Sequence, residues 1–271
     1  MTILYGEGKI EIYKLVAIIK DGKMKNYKII IQYDGTKYNG WQRQGNTKNT
    51  IQKKFESVLS KMCAHDVEIF ASGRTDAGVH AEAQVANFKC ETDKTVGEIK
   101  DYLNHYLPAD ILVKSVEEVP ERFHSRLNAV SKTYEYTIAT KKPDVFMRKY
   151  VYFADAVPDV AKMKEALQKL LGTHDFLGFS SLGKSKKSTV RTVNFIDIAE
   201  EEGLIKIRIN ANGFLYNMVR IIAGTLFDVG TGKLGVNDIE NIFDAKKRAD
   251  AGVTLPACGL KLIEVFYKET E

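Results

Sequence analysis

Cysteine is scarce, long apolar runs are missing and no metal-ligand spacing recurs; each absence removes a class of function. Cys63, Cys90 and Cys258 are odd in number, far apart and without a C-x-x-C pair. That pattern argues against a disulfide framework and a zinc site, and so for the cytoplasm as compartment. No apolar stretch reaches the ~20 residues of a membrane span, so no membrane association is expected. Tyr13 to Ile19 is apolar but short, with no small-residue cleavage site behind it, so no signal peptide is expected. His65, His80, His105, His124 and His174 show no metal spacing and read as packed or surface residues. The segment "GTGKLG", from Gly230 to Gly235, resembles a phosphate loop only faintly. Phe227 stands at its first glycine position, and Leu234 stands where Ser or Thr would hold magnesium. No G-x-S-x-G elbow occurs. With metal, nucleotide-cofactor and serine-hydrolase chemistry unsupported, carboxylate chemistry or binding remains.

What is present is an ordinary globular composition. The 271 residues are 44% apolar and 28% charged, and the net charge of +5 permits an anionic partner without identifying one. Lys28 to Tyr33 reads as a strand, followed by a helix with Ile51, Phe55, Leu59 and Met62 at helical spacing. Two strands, Val67 to Phe70 and Val85 to Lys89, flank a polar loop. The segment "TVGE", Thr95 to Glu98, fits a capping box opening a helix with Ile99, Leu103 and Tyr106. Ile111 to Val119 closes the unit as a strand. A second series begins with the alternating Tyr134, Tyr136 and Ile138 and continues with a helix around Met163, Leu167 and Leu170. It then runs through a hairpin over Val193 to Ala211, a long helix from Phe214 to Val229 and a last strand, Leu260 to Tyr267.

Each series reads β-α-β-β-α-β, the second with a long insertion. The expected fold class is α+β: two similar halves whose mainly antiparallel sheets lie side by side, helices on one face, and a cleft between them. The expected boundaries are residues 1–25 as an N-terminal extension of unknown role, 26–120 as the first half and 121–271 as the second.

Two features stand out within this frame. In "FASGRTDAGVHAEAQ", Phe70 to Gln84, one carboxylate, Asp76, lies between Gly73 and Gly78 with Arg74 close by. Asp is a common turn residue and could merely cap its own backbone; the glycines also suit close approach of something bulky to the main chain. Arg220, in "NGFLYNMVRIIAGTLFDVG", falls on a helix that is apolar nearly all round. A guanidinium in that setting calls for a partner from elsewhere in the fold. Asp76, Asp228 after a helix bend, or a backbone carbonyl would each serve.

"GRTDAGVHA", Gly73 to Ala81, strongly resembles the signature loop of the bacterial tRNA pseudouridine synthase A family. The resemblance runs along nearly the whole chain from Lys28. "YDGTKYNGWQRQ", "RFHSRLNAVSKTYEYTI", "HDFLGFS", "NGFLYNMVRIIAG" and "LPACGLKL" follow in the family's order. It implies conversion of uridine to pseudouridine at positions 38–40 of the tRNA anticodon stem-loop by a homodimer, with no cofactor and no metal. It makes Asp76 the catalytic aspartate, Arg74 the loop arginine, Tyr134 the residue that stacks on the target base, and Arg220 the partner of the aspartate. Residues 1–25 have no counterpart in the resemblance, Met24 could serve as a start, and Gly213 stands where Ala or Ser is usual. The loop "GKSKKSTVR", Gly183 to Arg191, offers Lys184, Lys186, Lys187 and Arg191 to RNA phosphates, and reads equally well as a solvated loop. Lys53 and Lys54 are weaker candidates.

Overall fold

The computed structural model describes residues 24–183 and 188–268. The expected N-terminal extension, apart from its last two residues, and the three lysines of the 183–191 loop lie outside them. The first series is β1 (Lys25–Tyr33), α1 (Ile51–Cys63), β2 (Ile69–Ala71), β3 (His80–Cys90), α2 (Val96–Tyr106) and β4 (Ile111–Val119). Thr50 caps α1 by accepting from the Lys53 amide. Thr95 and Glu98 form the expected reciprocal box at the start of α2. Ile51, Phe55, Leu59, Ile99 and Leu103 are fully buried, whereas Tyr106 is exposed and leans on Tyr102 instead.

The second series is β5 (Ala129–Ala139), β6 (Tyr152–Phe153), α3 (Val160–Gln168), β7 (Gly172–Asp175), β8 (Val190–Glu201), β9 (Leu204–Ala211), α4 (Met218–Gly230), α5 (Asp238–Ala245) and β10 (Leu260–Tyr267). Short strands β6 and β7 and helix α5 are the additions to the basic pattern. A tight turn through Glu202 and Gly203, both with positive φ, joins β8 to β9.

The α+β class holds, with one difference: the two sheets are one. Ten strands form a single sheet in the order β4-β1-β3-β10-β5-β9-β8-β7, with β2 paired to β3 and β6 to β5. All pairings are antiparallel except β5 with β6 and the junction, where β10 runs parallel to β3 through Lys261↔His80 and Leu262↔Ala81. The connecting segment is bolted to both sides. Asn26 donates to the carbonyls of Pro120 and Phe123, the Ser125 amide donates to Asn87, and Tyr267 on β10 donates to the Ser125 carbonyl.

Two expectations are corrected. The long helix does not begin at Phe214; Asn217 takes a left-handed conformation (φ 61°) and α4 starts at Met218, so Phe214 sits in the approach to the helix. The apolar periodicity extends back past that break, which is why the sequence reads as helical there. Cys63 and Cys90 are bonded to each other, 27 residues apart. Cys63 ends α1 and Cys90 ends β3, and only the packing of one element on the other brings them together. A ring nitrogen of His65 lies within 4.8 Å of both sulfurs, but sulfurs spent on one another leave no thiolate for a metal. Cys258 is free.

Candidate active site

The site forms where β3 changes partners. Along one edge β3 pairs with β2 over Ala86–Phe88 and with β10 at His80 and Ala81. Residues 72–79 leave β2 and re-enter at β3, so this loop stands at the handover. Neighbouring strands lie ~4.8 Å apart, and Tyr134 on β5 is opposite Leu262 on β10, itself opposite Ala81. The aromatic ring is therefore held about two strand spacings from the loop's end.

The loop is fixed by its surroundings. The Trp41 amide donates to the Thr75 carbonyl at 3.0 Å and the Gly78 amide to the Tyr38 carbonyl at 3.3 Å. The Tyr33 and Thr75 hydroxyls share a hydrogen bond of 2.7 Å. Gln84, fully buried on β3, accepts from the Ser72 hydroxyl at 2.7 Å and donates to the Gly73 carbonyl at 2.8 Å. The motif from Tyr33 to Trp41 is thus the loop's seat. Gly40 has φ +85°, and a Cβ there would lie 2.6 Å from the Thr75 carbonyl oxygen, so only glycine admits this approach. Within the loop Gly78 needs its freedom (φ +78°), while Gly73 does not.

The loop opens into a cleft of about 710 Å³ lined by Arg74, Asp76, Tyr134, Arg191 and Phe214 among others. Asp76 is half-buried, and among the described residues no side-chain or backbone donor bonds its carboxylate. Burial pushes its pKa above the usual carboxylate range, and the charge of Arg220 pulls against that shift. Arg220 does not form the expected direct ion pair. Its Nε donates to the Leu255 carbonyl at 2.6 Å and its Nη1 to Asn217 Oδ1 at 2.8 Å. The reason lies on the helix: Gly224 lets residues 252–255 press against that face, a Cβ there meeting the Val253 oxygen at 1.9 Å. A carbonyl is thereby presented to the guanidinium, which acts on Asp76 through space. Asp228 faces Lys233 at 3.5 Å and is not the partner either.

Tyr134 is buried, with its ring edge-on to Phe214 at 5.0 Å. Burial first, then Tyr33 and Asp76, raises its hydroxyl pKa far above the ordinary tyrosine value. Arg74 is exposed at the cleft wall. Arg191 also lines the cleft, its Nη1 bonded to the carbonyls of Ser188 and Val190, and its side chain lies over Gly213. The structure therefore gathers Asp76, Arg74, Tyr134 and Arg191 around one cleft, with Arg220 acting from behind. Lys53 and Lys54 lie on α1 and take no part in its lining.

Three residues of the site escaped the sequence reading. Gln84 pins the loop, and Arg126 and Lys132 line the cleft. Lys132 shares a strand face with Tyr134, two residues on, and that spacing was the one available signal.

A family model described as tRNA pseudouridine synthase matches residues 29–128 and 166–268. Among curated relatives, tRNA pseudouridine synthase A 2 of Bacillus anthracis is 48% identical over 245 residues, covering 90% of this chain and 100% of that protein. tRNA pseudouridine synthase A 1 of Clostridium tetani and tRNA pseudouridine synthase A of a Bacillus species (strain KSM-64) are each 49% identical with the same coverage. The chain belongs to the tRNA pseudouridine synthase family.

Proposed function

We propose that the chain isomerises uridine to pseudouridine at positions 38–40 of the tRNA anticodon stem-loop, with Asp76 as the catalytic carboxylate. One observation carries the assignment: among the described residues Asp76 is the single acid lining the cleft, and none of them donates to its oxygens. The reaction breaks the ribose C1′–N1 bond, turns the uracil and joins C1′ to C5; C5 loses a proton and N1 gains one. No atom is added or removed, so the reaction calls for no cofactor and no metal.

The carboxylate acts in its ionised form, whether it attacks C1′, attacks C6 or takes a ribose proton. Burial opposes that form and the nearby Arg220 charge favours it. To reach the cleft the target base must leave its stack, at a cost of a few kcal/mol. Stacking on Tyr134, worth ~1–3 kcal/mol, offsets part of this. Phe214 holds the tyrosine ring from the side. Arg74 fills the space the base vacates or grips the adjoining phosphate, and Arg191 meets a phosphate at the cleft's far wall. Lys184, Lys186 and Lys187, outside the described residues, are further candidate contacts to RNA phosphates. We further propose a homodimer that works in the cytoplasm, with the tRNA reaching across both subunits. No helix among the described residues is long and apolar enough to cross a membrane.

The test is Asp76→Asn on unmodified tRNA transcript, with pseudouridine detected by carbodiimide labelling and free uracil measured alongside. The assignment expects conversion to be lost while tRNA binding persists. Release of uracil by the unaltered protein would make it a hydrolase, and binding without any conversion would make it a non-catalytic RNA-binding protein.

A further inference from the structure

The same cleft holds more positive charge than its acid can balance. Arg74, Arg126, Lys132 and Arg191 all line it, against Asp76 as the one carboxylate among the described residues. Among the described residues none of these four cations forms an ion pair, although thirteen Lys or Arg pairs with a carboxylate occur elsewhere among them. Lys132 lies deep in the wall. Its chain runs along Gly73, whose hypothetical Cβ would be 3.4 Å from Cε and 3.8 Å from Nζ. Gly73 has no side chain to hold it off, so the ammonium reaches the wall of the cleft.

A like charge shares the cleft. Arg126, on the segment leading into β5, lines it as well and is near enough to disfavour the charged form of Lys132. Like charges with no acid beside them repel, and an anion bound between them offsets that repulsion. The flanking strands offer none: Lys132 is opposite Val265 on β10 and Ala211 on β9. Lys132 and Tyr134 point to the same face of β5, with Cα atoms ~7 Å apart. The anion seat is therefore placed beside the aromatic ring, on the same side as the loop and displaced from it by roughly one nucleotide.

We propose that Lys132 and Arg126, against the Gly73 main chain, form a seat for one RNA phosphodiester, that adjoining the nucleotide whose base lies on Tyr134. This rests on the uridine-isomerising reading of the cleft. The seat is tuned as well as placed. Burial first, then Arg126, lowers the Lys132 pKa to about 8. An anion stabilises the protonated amine, so the bound form has the higher pKa and RNA binding takes up a proton above pH 8. The arginines lining the cleft beside Lys132 are Arg74, Arg126 and Arg191. Burial raises the Tyr134 hydroxyl far above this window, and it raises the Asp76 carboxyl from its ordinary value while Arg220 pulls it back.

The experiment measures the affinity of wild type, Lys132→Met and Lys132→Arg for an unmodified tRNA transcript between pH 7 and 9.5. It repeats each measurement with a transcript carrying one neutral methylphosphonate next to the target uridine. The expected result is about ten-fold weaker binding by Lys132→Met at pH 7.5, the scale of one charge-assisted hydrogen bond. Wild-type affinity should fall as pH rises through 8 to 9, while Lys132→Arg stays flat. The methylphosphonate should weaken wild type clearly more than Lys132→Met, in which Arg126 alone is left to meet the phosphate. Equal affinity of wild type and Lys132→Met, or losses from variant and methylphosphonate that multiply independently, would overturn the seat. Pseudouridine formation by wild type is scored in the same samples. Coupling without conversion would retain the seat and remove the isomerase reading, and conversion without coupling would do the reverse.

Discussion

The two walls of the cleft are built on opposite principles. The loop wall, residues 72–79, is tied at nearly every step: backbone bonds to Trp41 and Tyr38, a hydroxyl pair with Tyr33, and two bonds to Gln84. The rest of the lining carries Arg126, Lys132 and Arg191, whose charges meet no acid among the described residues. In the function proposed above, the first wall fixes one carboxylate where a bond must break. The second is left electrostatically unfinished, and there the substrate completes it. Rigid placement belongs to the chemistry, and unsatisfied charge belongs to recognition.

Substitutions should separate the two walls, and the largest effect should come from the loop. Asp76→Asn keeps shape and removes charge, so conversion should fall by ~10⁴-fold or more while tRNA affinity changes little. A single-turnover assay paired with a binding isotherm reads both. Arg220→Leu should reduce turnover by roughly 10²-fold, on the scale of losing an electrostatic contribution near the reacting group. It should also move the acid limb of the pH–rate profile. Arg220 lowers the Asp76 pKa, so its loss raises that pKa further and shifts the limb to higher pH; an unmoved limb would confine Arg220 to structural work.

Gln84→Ala attacks the loop's fastening instead of its chemistry. It strands the buried Ser72 hydroxyl and leaves the Gly73 carbonyl without its donor, a loss of ~1–3 kcal/mol in stability, readable by urea unfolding. The smallest effect is expected on the other wall. Arg191→Ala should leave folding and the single-turnover rate at saturating tRNA nearly unchanged. It should flatten the salt dependence of tRNA binding by ~0.7–0.9 in log–log slope.

Local features were legible in the sequence and long-range ones were not. The Thr95–Glu98 capping box needs only four consecutive residues, and strands β4 and β10 declare themselves by composition and fall at the expected residues. The start of α4 was misread by four residues because Phe214 and Leu215 continue the apolar period, while the left-handed Asn217 that breaks it leaves that period intact. The need for a partner at Arg220 was readable from its apolar helix, but not which oxygen answers, since that depends on how Gly224 seats residues 252–255. Lys132 shares the face of Tyr134 by strand alternation, but the sequence does not show that the Gly73 loop lies against it. The Cys63–Cys90 bond is hidden for the same reason, because spacing alone does not show that the ends of α1 and β3 meet.

The parallel junction of β10 with β3 has a mechanical consequence. Because one sheet runs beneath both walls, and Tyr267 and Lys261 on β10 fasten to Ser125 and Glu82, the two sides cannot swing together around an incoming strand as hinged jaws would. The work of fitting falls on the nucleic acid. Among RNAs offering a uridine at a suitable place, turnover should then rank by how cheaply each backbone bends and each base unstacks. The protein acts as a stiff die, and pliability of the RNA becomes a selection rule.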